Sequence, residues 1–392
     1  MKGHTRQCVL SNIYPKLNHI MKILYYFYEL DTPMYLWQRE HFMNELSHYG
    51  IEFITFNPAK YDTPEIANEE FIRFAKTCRD DIDLFLSCDE TKILFPETVR
   101  EIKRTLSVPT VLICWDNLEL PYKQKAVAKA FDLIWLTSHE TEYLFKSWGC
   151  KTIFQTYAAN PYFFHPNRTE VKSIINKVGF IGTPYGSRAN KLNYLISNGV
   201  ECAVYSNSII NKGYNHSVGG TKKFDPIDIA VKFIRYLRFP IGRKVLYSTI
   251  KNKLSRQSSL TDDSPFLTKA PSVSHDDMCS LYSSLSLSLN ISELRDTYIL
   301  KNPIPKIHLR TFEIPMCGGL QITSYNDEIA GYFEDNKEII LYHSDEELID
   351  KAKFYLDERN TTLVAKMKSA ARLRAENEHT WKKRFDEVMK QI

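Results

Sequence analysis

The chain has no run approaching the roughly 18 apolar residues that a membrane-spanning helix needs, and its first twenty residues, with Lys2, Arg6 and Lys16, lack the apolar core of a secretory signal. A cytoplasmic location is therefore expected, and any membrane association is expected to be peripheral, on the inner face. Cysteine is sparse and dispersed. Cys8, Cys78, Cys88, Cys114, Cys150, Cys202, Cys279 and Cys317 form no Cys-x-x-Cys pair, which argues against a disulfide framework and against a cysteine-held zinc site. Cys114, in Val-Leu-Ile-Cys, reads as a small buried hydrophobe. Asp81-Ile-Asp83 has the spacing of a metal-holding pair, but it precedes the apolar run Leu84 to Leu86 instead of following one, so it reads as a helix-to-strand turn and no metal is expected.

What is present is the pattern of a globular α/β protein. Apolar residues make up 43% and charged residues 25%, and 392 residues suffice for two domains, each with its own core. Met21-Lys-Ile-Leu-Tyr-Tyr-Phe begins like a first strand, which leaves residues 1 to 20 as an N-terminal extension. Strand-length apolar runs follow at Ile23 to Phe27, Ile51 to Phe56, Ile82 to Leu86, Thr110 to Cys114 and Leu133 to Thr137. Helical periods lie between them near 37 to 48, 65 to 78, 95 to 106, 121 to 130 and 139 to 148. Such alternation predicts a parallel sheet covered by helices on both faces. Two prolines and Asn160 in Tyr157 to Pro166 predict a linker.

A second domain restarts with the strand and loop Lys177-Val-Gly-Phe-Ile-Gly-Thr-Pro-Tyr-Gly-Ser-Arg188, whose Gly182 and Gly186 precede a helix. The free N–H groups of a helix start make phosphate a plausible ligand, although a tight chain reversal explains the glycines equally well. The spacing is not that of the dinucleotide fingerprint, so no nicotinamide cofactor is expected. Between Lys222 and Arg256 stand ten Lys or Arg against two Asp, a local net of +8 that leaves −4 for the rest of a chain of net +4. Ile227, Val231, Ile234 and Leu237 form one helical stripe, and Leu246, Ile250 and Leu254 another, among Lys232, Arg235, Arg238, Arg243, Lys244, Lys251 and Lys253. Basic helices of this kind can lie on an anionic bilayer or pack on their own domain. No nucleic-acid-binding module accompanies them, so no nucleic-acid partner is expected.

The densest signal is Lys306-Ile-His-Leu-Arg-Thr-Phe-Glu-Ile-Pro-Met-Cys-Gly-Gly-Leu-Gln-Ile-Thr323, which reads as a short helix, a glycine stop and a strand. Arg310 offers a planar fork to phosphate, Glu313 can accept from both hydroxyls of a ribose, and Gly318 and Gly319 would let a ligand approach the backbone. An ordinary helix stop beside a surface ion pair is the alternative. Beyond Thr323, a strand, an acidic helix, a strand at Glu338 to Tyr342 and a helix opening at Ser344 follow in order.

Over about residues 280 to 390 the chain resembles the C-terminal half of the GT-B glycosyltransferases, in particular the spore-maturation-type branch. Arg310-Thr-Phe-Glu-Ile-Pro-Met-Cys-Gly-Gly319 and Lys337-Glu-Ile339 carry the resemblance. It implies two Rossmann-like domains facing a cleft: an acceptor domain over 21–165, a nucleotide-sugar domain over 166–375 with an insertion at about 206–273, and a crossover helix over 376–392 that packs through Trp381, Phe385 and Met389. It further implies that Arg188 and Arg310 face the diphosphate of a nucleotide sugar beside Gly182, Gly318, Gly319 and Thr323, that Glu313 meets the ribose, and that Lys306 and His308 add charge or hydrogen bonds. Relatives commonly carry Lys and Gly where His308 and Leu309 stand. The pair of glutamates eight residues apart found in many retaining relatives is absent, because Pro305 occupies the first position.

The candidate base for the acceptor hydroxyl is Asp116, at the carboxyl edge after the presumed fourth strand, with His139, Asp31 and Glu29 behind it. Asp116 could instead cap a turn, and His139 could simply begin a helix. The implied reaction is sugar transfer to a saccharide or lipid-linked acceptor in cell-envelope polysaccharide synthesis. A nucleotide-sugar epimerase on the same scaffold and a non-catalytic nucleotide-binding or membrane-associated scaffold are the alternatives.

Overall fold

The computed structural model describes residues 20–30, 33–88, 93–166, 174–210, 226–255, 259–261 and 263–392. The extension expected over 1–20 lies outside them except for Ile20, as do Asp31 and the first residues of the basic stretch. Two six-stranded parallel sheets organise the chain. The first runs β2-β1-β3-β4-β5-β6, built from β1 (Met21–Tyr26), β2 (Ile51–Phe56), β3 (Leu84–Ser87), β4 (Thr110–Cys114), β5 (Leu133–Leu136) and β6 (Thr152–Phe154). The second runs β12-β11-β10-β7-β8-β9, built from β7 (Ile175–Ile181), β8 (Cys202–Tyr205), β9 (Leu267–Ala270), β10 (Leu285–Leu289), β11 (Gln321–Ser324) and β12 (Ile340–Tyr342).

Continuous apolar runs such as Thr110–Cys114 and Leu133–Leu136 are buried along their whole length, as strands covered on both faces must be. Parallel register runs from Met21 opposite Ile51 to Tyr26 opposite Phe56. The Asp81-Ile-Asp83 turn is held by Lys22, whose backbone N–H donates to Asp83 Oδ2 at 2.8 Å and whose ammonium lies 3.4 Å from Asp81. Those contacts delay β3 to Leu84. The helix expected over 37 to 48 starts at Pro33 and is interrupted by a π turn at Arg39–Met43, which turns His41 inward. The helix expected over 121 to 130 is two short pieces, Pro121–Lys123 and Lys125–Ala128.

Two ties join the halves. The helix Trp381–Met389 crosses back to the first half, where Trp381 is fully buried against Trp37, Phe42 and Trp115. Glu45 caps it, accepting from the backbone N–H groups of Trp381 at 3.0 Å and Lys382 at 2.7 Å. The second tie is a pair of helices between β8 and β9, Pro226–Leu237 and Pro240–Leu254. Their Tyr236, Phe239 and Val245 pack with Leu118 and Leu144 of the first half and Leu294 and Ile304 of the second. The Tyr236 hydroxyl donates to Glu119 at 3.0 Å, and Arg238 lies over the Tyr122 ring. Val231, Ile234 and Leu237, three of the residues read as one stripe, point to solvent instead, because Tyr236 supplies the contact face.

Candidate functional site

In the second sheet the chain leaves β7 toward β8 on one side, while β10, β11 and β12 lie on the other. That reversal opens a crevice beyond the carboxyl ends of the strands, where open α/β sheets bind ligands. A cavity of about 460 Å³ occupies it, lined among others by Asn190, Lys191, Glu293, Tyr298, Tyr325 and Asn326. The size suits a nucleoside. Glu293 Oε2 and Asn326 Nδ2 are buried with no hydrogen-bond partner, and burial raises the Glu293 carboxyl above its ordinary value. An acceptor and a donor without protein partners are what a polar ligand would satisfy.

Beside the cavity lies a cluster of cations. Gly182, at φ +132°, has the Arg310 guanidinium packed so closely that a Cβ there would lie 2.7 Å from Nη2. This glycine admits Arg310 to the backbone of the loop after β7. Arg188, from the helix Ser187–Ser197 that follows the loop, shares the Phe180 ring with Arg310, each guanidinium about 6 Å from its centroid. Burial lowers the Arg188 pKa and Arg310 lowers it further, and neither guanidinium has a carboxylate ion pair among the described residues. His308 is pushed down to about 3, first by burial and then by Lys306, Arg310 and Arg188. The imidazole is therefore neutral at pH 7, and of the cations around it only Lys306 is paired with a carboxylate among the described residues.

The start of the helix Arg310–Met316, which places Arg310, is fixed by a buried amide network that the motif reading missed. Asn290 Nδ2 donates to Thr311 Oγ1 and to Gln321 Oε1, and Gln321 Nε2 donates to the Thr311 carbonyl at 2.9 Å. Polar residues inside otherwise apolar strands were the available signal. Thr323 is fully buried in β11, its hydroxyl 3.3 Å from that of Ser292, so it supports the loops from below.

Other expected site residues fall elsewhere. The helix runs back from the carboxyl edge, so Gly318 and Gly319 sit at its far end, roughly 10 Å along the axis from Arg310. There Gly318 takes φ +74° beside Pro166, and a Cβ on Gly319 would strike Ile314 and the Tyr282 carbonyl. Contrary to the expected approach to a diphosphate, the glycine pair closes the helix and packs it. Glu313 is buried, pushed up to about 7 by burial against the opposing pull of Arg310, and faces His41 Nε2 at 3.5 Å across the halves. It does not line the cavity. Burial holds His41 well below its usual range, and its Nδ1 has no partner.

From the first half, Asp116 reaches the cation cluster directly: its Oδ1 accepts from Lys306 Nζ at 2.9 Å. His139 is half exposed and turns toward Glu328, with Nδ1 4.0 Å from Oε2. Glu29 is paired with Arg39. Of the expected residues, then, the structure brings together Gly182, Arg188, Lys306, His308, Arg310 and Asp116.

Comparisons with known proteins bear on this arrangement. Residues 262–390 match the family model described as "Glycosyl transferase-like". Among solved structures, Anabaena HepE in complex with UDP-glucose aligns with a TM-score of 0.54 and 11% identity over 94% of this chain and 98% of that one. The fold is GT-B. Sucrose-phosphate synthase from Thermosynechococcus elongatus aligns at 0.53 and 11% identity over 95% and 98%. An α-glucosyltransferase in complex with UDP-glucose and DNA containing an abasic site aligns at 0.54 and 13% identity over 94% and 98%. No curated protein sequence matches the chain. At these identities the structural likeness is one of fold.

Proposed function

We propose that the protein is a glycosyltransferase of the spore-maturation-type branch, moving a sugar from a nucleotide-sugar donor to a saccharide or lipid-linked acceptor in cell-envelope polysaccharide synthesis. One observation carries the reading: Arg188 and Arg310 converge without a carboxylate ion pair among the described residues, with Lys306 and a neutral His308, and Ser187 and Pro305, the chain neighbours of Arg188 and Lys306, line a nucleoside-sized cavity. Such a cluster stabilises the charge that develops on a departing diphosphate. UDP is the first nucleotide to test, because HepE and the α-glucosyltransferase were solved with UDP-glucose.

Asp116 is the proposed base. In the structure it neutralises Lys306, and a donor phosphate would compete for that ammonium, releasing the carboxylate toward an acceptor hydroxyl in the cleft. Because the cations are supplied by side chains, we propose that turnover needs no metal at the diphosphate. Activity that survives chelation is expected, and a strict Mn²⁺ or Mg²⁺ requirement would overturn this point.

The helical pair suits a lipid-linked acceptor at a membrane's inner face. Phe233, Ile234 and Leu237 are exposed among Lys232, Arg235 and Arg238, on helices that touch Leu118 and Glu119 just past Asp116. Docking that face on anionic lipid would bring the cleft mouth to the acceptor.

The deciding experiment is thermal stabilisation by UDP, GDP, dTDP, CMP and NAD. One nucleoside diphosphate should stabilise the wild type, by about 2.7 kcal/mol at a hundredfold excess over Kd, and Arg310→Ala should abolish the shift. Asp116→Asn should keep the shift and lower turnover roughly 10²- to 10⁴-fold. Folded protein that no nucleotide stabilises would reduce the likeness to architecture.

A further inference from the structure

Apart from the donor site, His139, Glu140 and Glu328 place three ligating atoms within 4.8 Å of one another, the one such group among the described residues. Two come from the turn after β5, in the first half, and one from the helix Asp327–Tyr332 after β11, in the second. His139 Nδ1 lies 3.8 Å from Glu140 Oε2 and 4.0 Å from Glu328 Oε2. Glu140 Oε2 is buried with no hydrogen-bond partner. A carboxylate oxygen left without a hydrogen-bond donor, facing an imidazole nitrogen and a second carboxylate, is a position that a bound cation would satisfy.

Both supporting elements are fixed in place. Asn117, fully buried, holds the His139 turn from two sides: Nδ2 donates to the Ser138 carbonyl at 2.6 Å and to Thr141 Oγ1 at 2.8 Å, while Oδ1 accepts from the Thr137 and Ser138 N–H groups. The His139 ring packs edge-on against Phe154. On the other side, Asn326 caps the helix by accepting from Ile329 N at 2.8 Å. The Tyr332 hydroxyl donates to Glu328 Oε1 at 2.9 Å, leaving Oε2 for the shared centre. Metal sites use this kind of outer hydrogen bond to orient a ligating carboxylate.

We propose that His139, Glu140 and Glu328 bind one divalent transition-metal ion of the zinc class, which clamps the two halves of the chain together. One imidazole with two carboxylates suits zinc, whereas all-oxygen sites suit magnesium or calcium. In a tetrahedral zinc site the ligand atoms stand about 3.3 Å apart, so contractions of about 0.5 Å toward Glu140 and about 0.7 Å toward Glu328 bring His139 Nδ1 into range of each carboxylate, with water as the fourth ligand. The ion is structural and separate from the diphosphate cluster, so it bears on the relative placement of the halves and not on the charge of the leaving group.

The test uses the full chain, stripped of metal and titrated with ZnCl₂ against a chromophoric chelator, with MgCl₂ in parallel. One Zn²⁺ per chain is expected, with a raised Tm. Affinity should fall at least tenfold in both His139→Ala and Glu328→Gln, and Tyr332→Phe should cost a smaller factor. His139 is half exposed and Glu328→Gln is isosteric, so both proteins should fold, and their metal-free Tm values provide the check. No saturable Zn²⁺ binding, Mg²⁺ binding as tight as Zn²⁺, or Zn²⁺ affinity unchanged in both variants would each overturn the proposal. The last result would place the ion elsewhere on the chain.

Discussion

The two ties between the halves solve one problem with opposite surfaces. The crossover helix buries what it has: Trp381, Phe385 and Val388 are sealed in the core beneath the first sheet, and even its capping carboxylate, Glu45, is inaccessible. The helical pair between β8 and β9 uses Tyr236 and Phe239 for contact and leaves Phe233, Ile234, Leu237 and Leu254 in solvent, between lysines and arginines. A segment needed only to hold two bodies together would bury those side chains, since each is worth about 1.5–3 kcal/mol when removed from water. The crossover helix is a fastener, whereas the helical pair is a fastener with an outward face.

The sharpest way to break this contrast is at the crossover. Trp381→Ala should destabilise the chain by about 3–5 kcal/mol in urea unfolding, because it opens a cavity among Trp37, Phe42 and Trp115. A loss below 1 kcal/mol would mean the helix is not fastened there. Next comes its cap. Burial pushes the Glu45 carboxyl up to about 7 from an ordinary 4.5, so folding favours the protonated form. That stabilisation is complete below about pH 4.5 and is lost as the pH rises through 7. Glu313, also raised to about 7, adds in the same direction. Glu45→Gln should therefore flatten the fall in stability between pH 5 and 8 by on the order of 2–3 kcal/mol without abolishing it, and an unchanged pH profile would remove Glu45 from the linkage.

Smaller effects belong to the other tie. Tyr236→Phe removes the buried hydrogen bond to Glu119 and should cost about 1 kcal/mol in the same assay. Replacing Phe233, Ile234 and Leu237 together with serine should change stability least, within about 0.5 kcal/mol per site, while abolishing sedimentation with anionic liposomes. Stability lost on the scale of Trp381→Ala, with liposome binding intact, would show that the outward face is structural and erase the difference between the ties.

Local chemistry was legible in the sequence. Ile51–Phe56 and Thr110–Cys114 stand where their apolar runs predict, and the helix Pro64–Thr77 begins at its Thr63 cap with Pro64 in the first turn. Short β6 was not anticipated, because three residues carry too little periodicity. The π turn at Arg39–Met43 was hidden for another reason: its buried His41 meets Glu313 and His275, more than 200 residues away in the chain. Within the site, Arg188, Arg310 and Gly182 could be assembled from motif order, but the contact of Lys306 with Asp116 spans 190 residues and exists only once both sheets are placed. The glycine pair could have been located by topology. A helix that leaves the carboxyl edge of a strand ends at the amino edge, so its stop cannot share a ligand with its start.

Under the proposed function, Arg188 and Arg310 would also set the pace of a catalytic cycle. On the proposed reading, the nucleoside diphosphate that departs carries one more negative charge than the sugar ester that arrived, and Arg188, Arg310 and Lys306 offer nothing of opposite sign to expel it once Asp116 has been displaced. The cluster that speeds bond breaking thus retains the spent carrier. On that reading release of the carrier would limit steady-state turnover, and free nucleoside diphosphate would inhibit by rebinding, an inhibition that a phosphatase destroying it relieves.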